Sequence, residues 1–361
     1  MRKLVTIRCI GALLPIDGAD FIEIALVDDW QVVVKKGEFN FGDSCVFFEI
    51  DSMLPDEPRY SFLGTPKKYL IDDRHRLKTM KLRKVISQGL ALPLSSFPEI
   101  HQGFKLGDDV TDILKVVKYE PEQTTGGSTK QSPGSTQDRF PSFLPKTDQE
   151  RIQNLTSYYE RYKDHQWEET LKLDGSSMTV FKIHQKLNLW QRIKESLGFK
   201  QEAVKLGVCS RNLELRPNDS DFWKMTNKYK LAEYLPVGYA VQGEVIGPRI
   251  QANHEKVQEL DFYVFDIYDI TNGKYLLPVE RTEFFEEYFS FAKCDIKHVP
   301  VVSASCKVFE VCTNLQELQE RVTGPSMNKG TVSEGRVYKS TTIPGLSFKC
   351  ISNEYLLKKK D

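Results

Sequence analysis

Three things are scarce in this chain of 361 residues, and each closes a door. The cysteines (Cys9, Cys45, Cys209, Cys294, Cys306, Cys312 and Cys350) are scattered, odd in number and never spaced C-x-x-C, and the six histidines complete no ligand set with them. That argues against a structural zinc site and a disulfide framework, and for a reducing compartment. Net charge is absent as well: 50 basic residues balance 50 acidic ones, which removes the simplest electrostatic case for a nucleic-acid partner but leaves room for a local basic face. No apolar run reaches the length of a membrane span. Met1-Arg2-Lys3-Leu4 opens no signal peptide, so the expectation is an intracellular protein with no membrane partner.

What is present describes an ordinary globular composition, 40% hydrophobic and 28% charged, of a length that suits about two domains. The clearest boundary is Tyr119–Arg139, rich in Gly, Ser, Thr, Gln and Pro and without apolar periodicity, which reads as a flexible linker. The expected division is therefore 1–118, linker 119–139, and 140–361. Before the linker, short runs such as Leu4–Ile10, Ile22–Leu26, Gln31–Val34 and Ser44–Phe48 alternate with turn residues, the pattern of a small β-barrel. Within it, Lys67–Lys84 is dense in Lys and Arg against Asp72 and Asp73, with Tyr69 and His75 interleaved. Lys78, Lys81, Arg83 and Lys84 are candidate nucleic-acid contacts in this stripe, although a solvated basic face reads equally well from composition alone.

After the linker, Thr147-Asp148-Gln149-Glu150 has the form of a capping box, and Ile152, Leu155, Tyr159 and Tyr162 follow at helical spacing, predicting a helix to about Tyr162. Beyond it the pattern predicts strands at Glu169–Leu173, Met178–Ile183, Tyr239–Ile246, Phe262–Tyr268, Arg336–Lys339 and Leu346–Ile351, with helices at Trp190–Leu197, Phe222–Leu235, Pro278–Phe291 and Leu315–Val322. This is an α+β domain with largely antiparallel sheets.

Chemistry concentrates at the ends of those strands. Lys172-Leu173-Asp174-Gly175 taken alone reads as a turn with a solvated lysine, yet a lysine freed of its proton is a nucleophile. Arg211 in Ser210-Arg211-Asn212 suits a phosphate or ribose edge. Glu244 and Glu334 are carboxylates on apolar strands, and Lys349 sits between buried residue types. Brought together, two lysines and three acidic residues (Asp174, Glu244, Glu334) are the requirements of nucleotidyl transfer: a nucleophile, oxygen ligands for a divalent metal, and a cation for phosphate oxygens. Phe262 is a candidate for stacking on a base, with core packing as its plainer reading.

In order, KLDG, SRN, QGE, FYVFDIY, EGRVYK and SFKCIS resemble the nucleotidyltransferase motifs of the covalent lysyl-nucleotidyltransferase superfamily of DNA ligases, RNA ligases and mRNA capping enzymes. PKTDQERIQN at Pro145–Asn154 is similar to the segment before the nucleophile in RNA ligases. LKTMKLRKVISQGLALPL at Leu77–Leu94 resembles the OB domain of the Deinococcus/Naegleria-type RNA ligases, RNA ligase family five. The resemblance implies an N-terminal OB-fold barrel followed by an ATP-dependent ligase-type nucleotidyltransferase domain. It implies ATP as substrate, Mg2+ or Mn2+ held by Asp174, Glu244 and Glu334 largely through water, and Lys172 as AMP carrier with Lys349 in the catalytic set. It also places Glu169, Thr170, Leu171, Arg151, Arg211, Phe262 and Val337 around the nucleotide. RNA with 3'-OH and 5'-phosphate ends, as a nicked duplex, is the implied partner of a monomeric enzyme.

Two departures stand out: Ser176-Ser177 where many ligases carry an arginine two residues after the motif glycine, and Ile351 where many relatives complete Lys-x-Lys. DNA ligases and capping enzymes carry their OB domain after the catalytic one, whereas only Ser352–Asp361 follows the last motif here, an order that favours RNA ligase. The other class to weigh is a non-catalytic RNA-binding protein with an inactive ligase domain. The joint presence of Lys172, Glu244, Glu334 and Lys349 speaks against it.

Overall fold

The computed structural model describes residues 3–69, 72–100, 103–119, 138–185, 203–290, 294–328 and 330–358. Most of the expected linker and the expected helix Trp190–Leu197 lie outside them. Contacts divide the chain into two compact units, Met1–Pro121 with Glu150–Arg161 and Asn353–Asp361, and Glu122–Gln149 with Tyr162–Ser352. An unbroken second domain over 140–361 is therefore not what the contacts give, because Glu150–Arg161 and Asn353–Asp361 fall with the first unit.

The first unit is built on a five-stranded antiparallel sheet in the order Leu90–Pro93, Ser44–Phe48, Val5–Pro15, Ile22–Val27, Trp30–Lys35. Val5–Pro15 serves two partners because its register shifts between Ile10 and Ala12: the first half pairs with Ser44–Phe48, the second with Ile22–Val27. Such a bulge bends a strand and lets a sheet curl. The last strand returns toward the first, with Gln88 N donating to Gln31 O at 2.8 Å and Val33 N to Ser87 Oγ at 3.0 Å. Side-chain alternation then feeds two apolar clusters, one around Val5, Ile7, Val46 and Phe48 and one around Ile10, Val27, Trp30 and Phe47.

The basic stripe splits on folding. Arg74 pairs with Asp72, His75 is buried beside Asp56, and Arg76 pairs with Asp51 and stacks 3.3 Å from the Tyr119 ring centre. Lys78, Lys81, Arg83 and Lys84 are exposed. Arg83 and Lys84 form the two-residue turn between the strands Met80–Leu82 and Val85–Ser87, both in left-handed backbone (φ 47° and 70°). That is the primed turn which matches strand twist, here occupied by long cations rather than Asn-Gly.

The predicted helix from Thr147 does not form. Thr147 Oγ1 lies 2.8 Å from Ser177 Oγ instead of capping, and Glu150 Oε1 accepts from Arg151 N and from Asn154 Nδ2. Asn154 Oδ1 also accepts from Trp30 Nε1 at 2.7 Å, so tertiary hydrogen bonds take the groups that the capping box needed. What remains is a 3-10 turn, Ile152–Asn154, and a short helix, Tyr158–Arg161. The span Phe222–Leu235 is also broken, into Asp221–Lys228 and Leu231–Tyr234, at Lys230 with φ 46°. Leu315–Val322 forms as expected, capped by the Asn314 side chain.

Two sheets make the second unit. One runs Asp138–Arg139, Leu213–Leu215, Val204–Cys209, Ser176–His184, Tyr239–Ile246, Asp261–Asp269, Lys274–Tyr275, with Lys297–His298 added in parallel to Asp261–Asp269. Its far face packs on helices through a core containing Phe222, Val241, Val245, Phe262, Val264 and Phe284. The other runs Val301–Cys306, Trp167–Leu171, Gly335–Ser340, Ser347–Ile351. Lys172–Gly175 is the segment by which the chain leaves the second sheet and enters the first.

Candidate active site

A cleft of about 680 Å³, open to solvent, lies between these two sheets. Strand pairing explains which side chains enter it. Thr170 is paired with Val337, and Val337 with Lys349, so the three form one row on one face of the smaller sheet, and all three line the cleft. The neighbouring row, Glu169, Tyr338 and Phe348, must then point to the opposite face. From the larger sheet come Ser177, Glu244 and Phe265, and from the loop before Leu213–Leu215 comes Arg211.

Gly175 explains how the crossover is made so tight. A Cβ there would stand 2.3 Å from Val245 O and 2.8 Å from Glu244 Cγ, so only glycine lets the chain pass against the strand that bears Glu244. Gly335 is similar: with φ 150°, a Cβ would lie 2.2 Å from Cys350 O. Glu334 precedes it and reaches Lys172, with Nζ donating to Oε2 at 2.8 Å.

Charge in the cleft is crowded. Burial works against a charged Lys172, but Glu334, Glu244 and Asp174 outweigh it and the amine is held above its usual range. Glu244 is pushed up to about 8 by burial, with Lys172 opposing and Glu334 and Asp174 adding like-charge repulsion. On the opposite wall, Asp148 pairs with Arg211 through Oδ2 and stands 3.6 Å from Lys349 Nζ through Oδ1. Lys339 Nζ, also lining the cleft, is held 2.8 Å from Asp266. Among the described residues no three His, Cys, Asp or Glu side chains converge closely enough to ligate one ion directly. Carboxylates that are crowded around one amine but not convergent fit a hard cation held through its water shell.

The residues picked from the sequence are thus distributed unevenly. Thr170, Leu171, Lys172, Arg211, Glu244, Val337 and Lys349 line the cleft; Glu334 contacts Lys172; and Asp174 belongs to the same field of charge. Glu169 does not present its side chain there. It is buried on the back of the sheet, accepting from Tyr338 Oη at 3.0 Å and paired with Arg321 at 2.5 Å. Arg151 falls in the first unit, 3.8 Å from Asp51 and 5.9 Å from the Trp30 ring centre, and is no part of the cleft lining.

Phe262 is fully buried in the core, and the aromatic that lines the cleft is Phe265. Alternation accounts for it: Phe262 and Val264 face the helix-covered core, while Tyr263 and Phe265 face the other way. Asp148 and Lys339 were also missed. For Lys339 the signal was available, because it lies two residues beyond Val337 on the same strand face.

The OB-fold domain profile matches residues 4–94 and the RNA ligase profile residues 165–354. Among solved structures, a variant of Naegleria gruberi RNA ligase with ATP and Mn is 40% identical, with 100% of each chain covered and a TM-score of 0.85. The Naegleria gruberi RNA ligase with PPi is 40% identical, covering 99% of this chain and 98% of that one at a TM-score of 0.84. A variant of it with AMP and Mn gives 40%, 98% of each chain and 0.84. No match was found among the curated proteins. The chain belongs to the RNA ligase family. Among the described residues no helix is long and apolar enough to cross a membrane.

Proposed function

We propose that this chain is an ATP-dependent RNA ligase that joins 3'-OH and 5'-phosphate RNA ends, as nicks in duplex RNA, and acts as a monomer. The observation that carries the reading is Lys172 at the crossover between the sheets, 2.8 Å from Glu334 and facing a row that ends in Lys349. Three displacements follow from it. The Lys172 amine attacks the α-phosphorus of ATP, the bond to the bridging oxygen breaks, and pyrophosphate leaves. An oxygen of the RNA 5'-phosphate then attacks that phosphorus and releases the lysine, giving an AMP-capped RNA end. The RNA 3'-oxygen finally attacks the RNA 5'-phosphorus, and AMP leaves as the strand is sealed.

The cleft supplies what these steps need. Lys349 and Arg211 stand where phosphate oxygens can replace Asp148 as their partner. Val337 and Phe265 line opposite walls and suit the two faces of a base. Asp174, Glu244 and Glu334 would hold Mg2+ or Mn2+, largely through water, and such an ion supplies charge neutralisation at the reacting phosphate. Without a neutralising charge these same carboxylates keep Lys172 protonated and unreactive. The exposed cations Lys78, Lys81, Arg83 and Lys84 are assigned to the RNA backbone.

Incubation with labelled ATP and a divalent metal should give a covalent protein–AMP adduct that Lys172→Ala abolishes. Labelling by GTP instead of ATP, or no adduct at all, sinks the assignment. Comparing all-RNA, RNA/DNA-hybrid and all-DNA nicks then defines the strand preference.

A further inference from the structure

Past the strand that bears Glu244, the backbone does something unusual. Gln251, Ala252 and Asn253 take successive left-handed conformations (φ 45°, 55° and 51°), and Lys256 follows at 51°. None is glycine, and a run of side chains in this region is disfavoured, so the surroundings must impose it. Asn253 braces the turn locally, its side chain donating to Val257 O at 2.9 Å and accepting from Val257 N at 3.0 Å.

The turn delivers two side chains to one loop. Both carboxylate oxygens of Glu255, a residue 1% exposed, accept from Ser326 Oγ at 2.9 and 2.8 Å, and its backbone oxygen accepts from Asn328 Nδ2. His254 Nε2 donates to Val332 O at 2.7 Å. The loop closes on itself through Ser333 N to Gly324 O and Ser326 N to Thr331 O, both 2.8 Å. Glu334 leaves directly from its end, and Ser333 Oγ holds the next backbone N–H, that of Gly335, at 3.1 Å.

We infer that Glu255 is a positioning residue for the adenylylation centre, fixing through Ser326 the loop from which Glu334 reaches Lys172. This rests on the roles given above to Lys172 and Glu334. A carboxylate buried against a single hydroxyl is a costly way to pack a loop that an apolar contact would hold as well. It is a good way to set the loop in one place, since the buried carboxylate keeps this donor only while the loop holds the Ser326 hydroxyl between its two oxygens.

The test is the rate of protein–AMP formation against metal concentration for wild type, Glu255→Ala, Glu255→Gln and Ser326→Ala, with melting temperature measured alongside. Lys172→Ala and Glu334→Ala serve as controls. Glu255→Ala and Ser326→Ala should raise the metal midpoint or lower the saturated rate by about tenfold to a hundredfold, the usual cost of losing a group that orients a metal ligand. Glu255→Gln keeps an oxygen that accepts from Ser326 and should recover most of the loss.

A wild-type metal curve in Glu255→Ala overturns the inference, even if the melting temperature falls, and so does a Gln variant as poor as Ala. If Glu255→Ala fails to fold, Ser326→Ala decides alone. If Lys172→Ala still labels, the assignment of the site fails rather than this inference; a dead Lys172→Ala beside a normal Glu255→Ala removes the inference only.

Discussion

Two clusters of buried charge stand on opposite faces of the strand Trp167–Leu171 and its neighbours, and they are built to opposite ends. Behind the sheet, Glu169 is met by Arg321 and by the Tyr338 hydroxyl, with Arg336 at 3.8 Å. In front, one amine, Lys172, is surrounded by Glu334, Glu244 and Asp174, and burial, with like-charge repulsion added, pushes Glu244 up to about 8. In the rear cluster the one carboxylate is fully answered by the cations and the hydroxyl around it. The front cluster carries more acid than its lysine can answer, which is the signature of a place that expects another cation. Similar residue types, only two or three chain positions apart at Glu334 and Arg336 and at Glu169 and Lys172, thus hold a fold on one side and prepare chemistry on the other.

Substitutions should separate the two. The largest effect expected is in front: Lys349→Ala should slow protein–AMP formation by about a hundredfold or more, the cost of a lost donor to developing phosphate charge, with little change in melting temperature. An unaltered rate would leave Lys349 as a packing residue. Behind the sheet the expectation reverses. Glu169→Ala should cost about 2–3 kcal/mol of stability, toward the low end for a broken buried pair because Arg321 is partly open to water, while the folded fraction labels normally. Denaturant unfolding together with labelling per folded molecule checks this, and a lost adduct at full stability would erase the distinction.

A smaller effect concerns pH. Between the ordinary carboxyl value of 4.5 and about 8, the folded protein keeps a proton on Glu244 that the unfolded chain releases. Metal-free stability should therefore fall as pH rises through that window, and Glu244→Gln should lack this slope. Parallel melting curves for the two proteins between pH 5 and pH 8.5 would show that Glu244 is not held protonated in the front cluster. The mildest effect lies outside the comparison and bounds it. Charge reversal at Arg83 and Lys84 should leave self-adenylation intact while weakening the sealing of nicked RNA and reducing the salt slope by about one per lost phosphate contact. Unchanged sealing would return that turn to a solvated basic tip.

Much of this was legible in the sequence where regular alternation holds. Thr170, Val337 and Lys349 enter the cleft because strands alternate and pair in register, and the order of the motifs follows the order of those strands. Legibility stops at choices that alternation leaves open. Phe262 and Phe265 fall on opposite faces of their strand, and pattern alone does not say which face is the helix-covered core and which the cleft. The capping box at Thr147 was sound local chemistry, overruled by Ser177, Trp30 and Glu49, which claim Thr147 and Asn154 from far away in the chain. Glu169 was placed beside the nucleotide by the family resemblance, together with Thr170, yet on a strand adjacent positions face apart and only Thr170 enters the cleft. The left-handed turn at Gln251–Asn253 has no sequence signal of this kind, since none of its residues is glycine.

The contact at Gly175 carries one more consequence. Because the backbone there rests against Val245 O and Glu244 Cγ, the segment that carries the nucleophile, the Glu244 carboxylate and the strand beneath share a single mechanical reference. Gly175→Ala would move all three at once, so this centre resists gradual retuning. Variation that leaves this reference in place has to come from the rim of the cleft, where Ser177, Arg211 and Phe265 stand on other parts of the chain and would change how the nucleotide is held rather than where the nucleophile sits.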